Sequence, residues 1–166
     1  MAEEYALIVK NADCIGCKAC EVACKQEHQI PVGPRWIIVT TDSPKEIAGK
    51  LQLRYSVSHC LHCTNPGCLA ACPVDAITKR SDGIVLIDTA LCTGCRSCLD
   101  GCPIGVMQFD ENKGLAEKCD LCVARHDRGL KPACVNACPA GCIYYGHTSE
   151  VFNKADKPAL LSTYKK

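Results

Sequence analysis

Large aromatic side chains are scarce in this sequence. Two phenylalanines and one tryptophan in 166 residues are too few to fill a conventional core in a chain of one-domain length. No apolar run approaches the eighteen or more residues of a membrane span, and residues 162–166 are polar, so no direct membrane insertion is expected. The opening MAEEYALIVKNADC has no charged n-region, apolar h-region or twin-arginine signal, which points to a cytoplasmic chain. Also missing are a Gly-rich phosphate loop, a G-x-G-x-x-G opening a helix, and any set of nucleophile, base and orienting group. The chain is therefore expected not to be an enzyme in its own right. Its basic residues form no stripe, so nucleic acid is not an expected partner; Lys10, Lys18, Lys25, Arg96, Lys118, Arg125 and Arg128 are scattered near the cysteine runs.

Cysteine is what the sequence has in excess. Sixteen of the 17 fall into four groups of four. Cys14, Cys17, Cys20 and Cys24 read C-x2-C-x2-C-x3-C, and Cys92, Cys95, Cys98 and Cys102 repeat that spacing with Pro103 following. Cys60, Cys63, Cys68 and Cys72 read C-x2-C-x4-C-x3-C before Pro73, and Cys119, Cys122, Cys134 and Cys138 read C-x2-C-x11-C-x3-C before Pro139. A disulfide framework would need an oxidising compartment and would leave an odd thiol. Structural zinc is built from two separated pairs and gives no reason for a third cysteine two or four residues on and a fourth three residues later. Two-residue spacers instead let successive thiolates curl around one face of a cubane cluster, while the fourth cysteine of such a run ligates a different cluster. The x3 step puts Cys20 and Cys24, or Cys98 and Cys102, at i and i+4 on a short helix, one turn apart, so each helix joins two clusters.

Four [4Fe–4S] clusters would replace the missing large side chains, which makes folding and cluster insertion one process. Each cluster with its thiolates carries about −2, so the formal +1 of the bare chain becomes about −7 when loaded.

An internal repeat supports this organisation. Cys72-Pro73-Val74-Asp75-Ala76-Ile77, Cys102-Pro103-Ile104-Gly105-Val106-Met107 and Cys138-Pro139-Ala140-Gly141-Cys142-Ile143 share a helix stop, a turn and the start of a short strand. Strands are predicted at Ala6–Val9, Trp36–Thr41, Leu51–Val57, Ile84–Asp88, Val106–Phe109 and Ile143–Tyr145. Cysteine-bearing helices are predicted near Lys18–His28, Pro66–Ala71, Arg96–Gly101, Leu121–Asp127 and Ala133–Ala137. The expected class is α+β: two interleaved bacterial-ferredoxin-like modules, each holding two [4Fe–4S] clusters. Residues 59–102 form the inner module, with Asp82-Gly83 as the turn between its halves, and residues 1–58 with 103–166 form the outer one.

Crossed ligation then gives four sets. In the inner module they are Cys60, Cys63, Cys68 with Cys102, and Cys92, Cys95, Cys98 with Cys72. In the outer module they are Cys14, Cys17, Cys20 with Cys138, and Cys119, Cys122, Cys134 with Cys24. Two features break the symmetry: Lys25 replaces proline after Cys24, and eleven residues containing Asp127-Arg128-Gly129 separate Cys122 from Cys134.

Among the other residues, Gly16 and Gly94 precede the second cysteine of their runs, where a missing side chain either lets backbone N–H groups reach cluster sulfurs or relieves crowding. His59 and His62 are expected behind the ligands or on the surface, since sixteen cysteines already complete the sets. Cys142 takes the place of Ala76 and Val106 in the sister repeats and reads as a buried small residue. Trp36 and the Tyr144-Tyr145 pair read as packing. The excursion at Gln29–Lys50 and the tail at Gly146–Lys166 are unneeded for cluster binding and are candidate docking segments.

On these runs, including the long spacer after Cys119-Asp120-Leu121-Cys122, the chain resembles the four-cluster electron-transfer subunits (polyferredoxins) of the dimethyl sulfoxide reductase type over roughly residues 5–146. That family accompanies molybdenum or tungsten pterin enzymes, formate dehydrogenases and some hydrogenases. The chain is similar to its compact cytoplasmic members, such as small subunits of tungsten aldehyde oxidoreductases or of benzoyl-coenzyme A reductases. The resemblance implies the same crossed ligation and a relay of single electrons between a catalytic oxidoreductase subunit and a further redox subunit, ferredoxin or flavoprotein. Two other expectations stand beside it: a freestanding polyferredoxin, and a scaffold that self-associates into electron-conducting filaments.

Overall fold

A computed structural model describes residues 4–154, with ten short strands, six α-helices and one 3-10 turn at Asn11–Asp13 assigned there. In chain order they are β1 (Tyr5–Val9), α1 (Ala19–His28), β2 (Ile37–Thr41), β3 (Lys45–Ile47), β4 (Lys50–Gln52), β5 (Tyr55–His59), α2 (Gly67–Ala70), β6 (Ile77–Lys79) and β7 (Val85–Ile87). There follow α3 (Ser97–Asp100), β8 (Gln108–Asp110), β9 (Leu115–Glu117), α4 (Val123–His126), α5 (Ala133–Asn136), β10 (Ile143–His147) and α6 (Thr148–Lys154). The strands pair antiparallel as β1–β10, β2–β5, β3–β4, β6–β7 and β8–β9. Residues 155–166, which include most of the expected docking tail, lie outside the described residues. Among the described residues no helix is long and apolar enough to cross a membrane.

Side-chain alternation explains why β1 is buried on both faces. Leu7 and Val9 enter the larger core with Ile37, Val39, Val57, Ile84, Leu121 and Ile143. Ala6 and Ile8 point the other way and are covered by Val151 of α6. A second core gathers Ile77, Val85, Met107 and Ala116. Cys20, Cys24, Cys134 and Cys142 are members of the first core and Cys68 and Cys98 of the second, so cysteines occupy positions that large apolar side chains would fill elsewhere.

Local chemistry sets the element ends. In the sister repeats the residue after C-P-x is left-handed, Asp75 at φ 52, Gly105 at φ 63 and Gly141 at φ 61, which turns each chain out of its helix toward a strand. No proline follows Cys24, and α1 accordingly runs ten residues where α2, α3 and α5 have four. Lys25 instead folds the next segment back onto α1, its Nζ donating to the carbonyls of Pro31 at 2.6 Å and Pro34 at 2.7 Å.

Three sequence expectations need correction. The strand expected over Leu51–Val57 is two strands, because β4 pairs with β3 while β5 pairs with β2, and the chain changes partner at Leu53 and Arg54. The strand expected at Val106–Phe109 lies at β8, two residues later, with Val106 and Met107 held in the apolar interior before it. Strands β3 and β9 and helix α6 were not legible: β3 is largely exposed, with no apolar alternation, and Leu115–Glu117 has only three residues.

Candidate metal centre

Every cysteine run makes the same bend. The residue before its second cysteine is left-handed in all four: Gly16 at φ 69, His62 at φ 48, Gly94 at φ 69 and Leu121 at φ 55. Glycine adopts this conformation without a Cβ penalty, whereas His62 and Leu121 hold it at a cost that burial must offset. Crowding also requires glycine at the other two. A Cβ on Gly16 would run into the Tyr55 ring, and one on Gly94 into the Gly114 carbonyl.

Three cavities are bordered by cysteines from two chain segments each. One is lined by Cys92, Cys95, Cys98 and Cys72. A second is lined by Cys60, Cys63, Cys68 and Cys102, and a third by Cys14, Cys17, Cys20 and Cys138. The remaining four cysteines also converge: Cys24 feels the charges of Cys134 and Cys122, and Cys119 that of Cys134. Contact between α2 and α3 brings the first two cavities together, and contact between α1 and α5 brings the last two sets together. Cys119 is also raised by the neighbouring Cys60 thiol, which belongs to the second cavity. In each cavity the donor set is soft sulfur in an apolar wall, the chemistry an iron–sulfur cubane requires.

Burial acts strongly on the unligated thiols. It pushes Cys20, Cys68 and Cys122 up to about 11 and Cys134 up to about 12, from an ordinary 9.0. Cys24 and Cys119 are raised further, by burial and then by neighbouring thiols. Cys95 is exposed and moves the other way, lowered by hydrogen bonding from Ser97.

Several neighbours have roles that the sequence did not announce. His28 sits with Nε2 3.2 Å from Cys122 Sγ and 3.5 Å from Asp120 Oδ1, under the Trp36 ring at 4.5 Å between centroids. Trp36 donates to Glu117 Oε2 at 3.2 Å, so it ties α1 to β9 as well as packing on the core. Lys118 is buried, not solvated: its Nζ donates to the Val85 carbonyl, and to that of Cys119 at 3.0 Å. Cys142 is buried, and its sulfur lies 3.5 Å from Cys138 Sγ. The pairing of His28 with Cys122 across ninety-four positions left no periodic signal, and Lys118 looked like any surface charge beside a cysteine run.

With this geometry in view, the family is defined. The 4Fe–4S dicluster domain family matches at residues 51–148 and again at residues 13–76. The B subunit of polysulfide reductase from Wolinella succinogenes is 35% identical, covering 95% of this protein and 83% of that one. The B subunit of anaerobic dimethyl sulfoxide reductase from Escherichia coli is 34% identical, covering 93% and 78%. The iron–sulfur subunit of nitrate-inducible formate dehydrogenase from Escherichia coli is also 34% identical over 93% of this protein, which spans only 58% of that subunit's length. The chain belongs to the 4Fe–4S dicluster proteins, among the iron–sulfur subunits of the dimethyl sulfoxide reductase type. Two dicluster domains make four [4Fe–4S] clusters its cofactor complement.

Proposed function

We propose that the chain is a non-catalytic relay that passes single electrons through four [4Fe–4S] clusters in series. Cys92, Cys95, Cys98 and Cys72 hold one terminal cluster, Cys60, Cys63, Cys68 and Cys102 the next, Cys119, Cys122, Cys134 and Cys24 the third, and Cys14, Cys17, Cys20 and Cys138 the other terminal one. The two inner-sequence clusters belong to a ferredoxin-like module at residues 59–102, enclosed in sequence by a second module from residues 1–58 and 103–166. When bound, the clusters supply the one-electron carriers; the chain supplies thiolates, fixed spacing and an apolar surround.

The observation that carries this reading is exposure at the two ends of the series. Cys17 and Cys95, one in each terminal set, are the exposed cysteines among the described residues, and Ile15 and Leu91 beside them are exposed apolar residues. A partner's cofactor can approach the wire there with little protein between. The relatives' names suggest a catalytic oxidoreductase subunit with a molybdenum or tungsten pterin at one end and a further redox subunit, ferredoxin or flavoprotein at the other. The exposed β3–β4 hairpin, with Leu51 outward, is available for docking in the cytoplasm. Anaerobic affinity isolation with elemental analysis tests the proposal. About sixteen irons per chain with stoichiometric tungsten or molybdenum is the expected result. Full iron without either metal would remove the pterin partner, and zinc in place of iron would remove the relay itself.

A further inference from the structure

His62 is poorly accommodated beside the cysteine cavities. It occupies the left-handed position that glycine takes in two sister runs, at φ 48, and only 4% of its surface is exposed. Its Nδ1 accepts the Val85 backbone N–H at 2.9 Å. In a neutral imidazole that acceptor role leaves the proton on Nε2. Yet Nε2 is buried with no hydrogen-bond partner among the described residues. An orphaned N–H in the interior is costly and uncommon, so a partner is expected in the working molecule.

The surroundings say where that partner lies. His62 lines the cavity bordered by Cys60, Cys63, Cys68 and Cys102. The buried Lys118 ammonium stands on the other side of Val85. Val85 serves both groups: its N–H sets the histidine and its carbonyl takes the Lys118 ammonium. His59, by contrast, has its Nδ1 at 2.9 Å from the Cys60 carbonyl.

We propose that His62 donates its Nε2–H to a sulfur of the [4Fe–4S] cluster held by Cys60, Cys63, Cys68 and Cys102, and thereby raises the reduction potential of that one cluster. An N–H···S bond draws electron density from the sulfur and favours the reduced, more negative state, as outer hydrogen bonds do at other metal centres. At this glycine-type position the imidazole lines the cavity and can supply a donor that glycine lacks. The inference rests on the ligand assignment proposed above.

Two substitutions separate tuning from packing in the holoprotein. His62→Asn keeps an acceptor near Nδ1 for Val85 and tolerates the left-handed backbone, but has no donor at the Nε2 position. His62→Gln places an amide N–H near Nε2. Anaerobic potentiometric titration followed by EPR should show one cluster with a lowered midpoint in His62→Asn, three unchanged, and the midpoint largely restored in His62→Gln. In the unsubstituted protein labelled with [15N]histidine, pulsed EPR should show a nitrogen coupling on the same cluster, assigned by its loss or conversion in Cys63→Ser. Full iron in His62→Asn with all four midpoints unmoved overturns the proposal. So does absence of that coupling in the unsubstituted protein, which decides the matter even where the variants fail to load. Iron well below about sixteen in the unsubstituted protein would instead remove the ligand assignment itself.

Discussion

The two pairs of cysteine sets reach the same donor arrangement by different routes. Around Cys60–Cys102 the chain uses single-turn helices α2 and α3 and the short β6–β7 pair, all within one stretch of sequence. Around Cys14–Cys24 and Cys119–Cys138 it uses the longer α1, and closes the arrangement by pairing β1 with β10 from opposite ends of the described chain. The first route is held by local turns and close helix approach, with Gly67 and Gly101 so near that neither admits a Cβ without movement. The second is held by a larger aliphatic core, with the thiols drawn deeper into it. A fixed ligand geometry therefore does not dictate a fixed scaffold; what it demands is two short helices meeting at their cysteines.

Acidity should break the comparison most completely. A thiol raised by burial stabilises the empty fold while protonated, fully below pH 9.0 and progressively less as the pH climbs through about 11 for Cys68 and about 12 for Cys134. The loaded fold has the opposite sense, because iron takes the thiolate and must displace the proton. Assembly at neutral pH should release about sixteen protons per chain, measurable with an indicator dye in weak buffer. As the reconstitution pH is lowered, the Cys119 set with Cys24, whose four thiols are all raised by burial, should stop loading before the other three sets. Simultaneous failure would mean that burial does not distinguish the sets.

Single cysteine losses should come next. Cys24 is buried in the larger core and bridges two sets, whereas Cys95 is exposed at one end. Cys24→Ala is expected to lose the third cluster, about four irons, and to loosen β1–β10 and α1 with it, seen as lost far-ultraviolet ellipticity. Cys95→Ala should lose or convert one cluster with the rest of the fold retained.

Core truncations are a smaller test. Ile84 is completely buried in the larger core, so Ile84→Ala should cost about 3 kcal/mol, and Ile77→Val in the smaller core about 1 kcal/mol. Anaerobic denaturation followed by cluster absorbance should rank them in that order. The smallest effect is expected at the exposed tie between the two regions, Arg80 to Asp127 at 2.8 Å, which lowers the Asp127 carboxyl. Its contribution is present above the ordinary carboxylate value of 3.8 and is lost as pH falls through the lowered one, and Asp127→Asn should leave the denaturation midpoint unmoved at neutral pH.

Much of the cysteine chemistry was legible from spacing alone, because two-residue gaps and i,i+4 steps are short enough for covalent geometry to dictate where the sulfurs point. The same holds for the C-P-x-x turns and for α1, whose extra length follows from Lys25 standing where the sister runs have proline. Strand β4 was misjoined to β5 because Leu51–Val57 carries an acceptable strand composition throughout, and only the change of pairing partner divides it. Gly16 and Gly94 allowed two readings, and the Tyr55 ring and the Gly114 carbonyl show the crowding that requires glycine there.

By itself, then, the sequence determined the four cysteine runs, their local bends and the substitution of sulfur for an aromatic core. Tertiary structure decided which distant groups meet: β1 with β10, His28 with Cys122, and Lys118 and His62 on the two sides of Val85. Spacing acts within a few covalent bonds and is written in the chain, whereas those encounters depend on which surfaces burial brings together, and no short stretch of sequence carries that information.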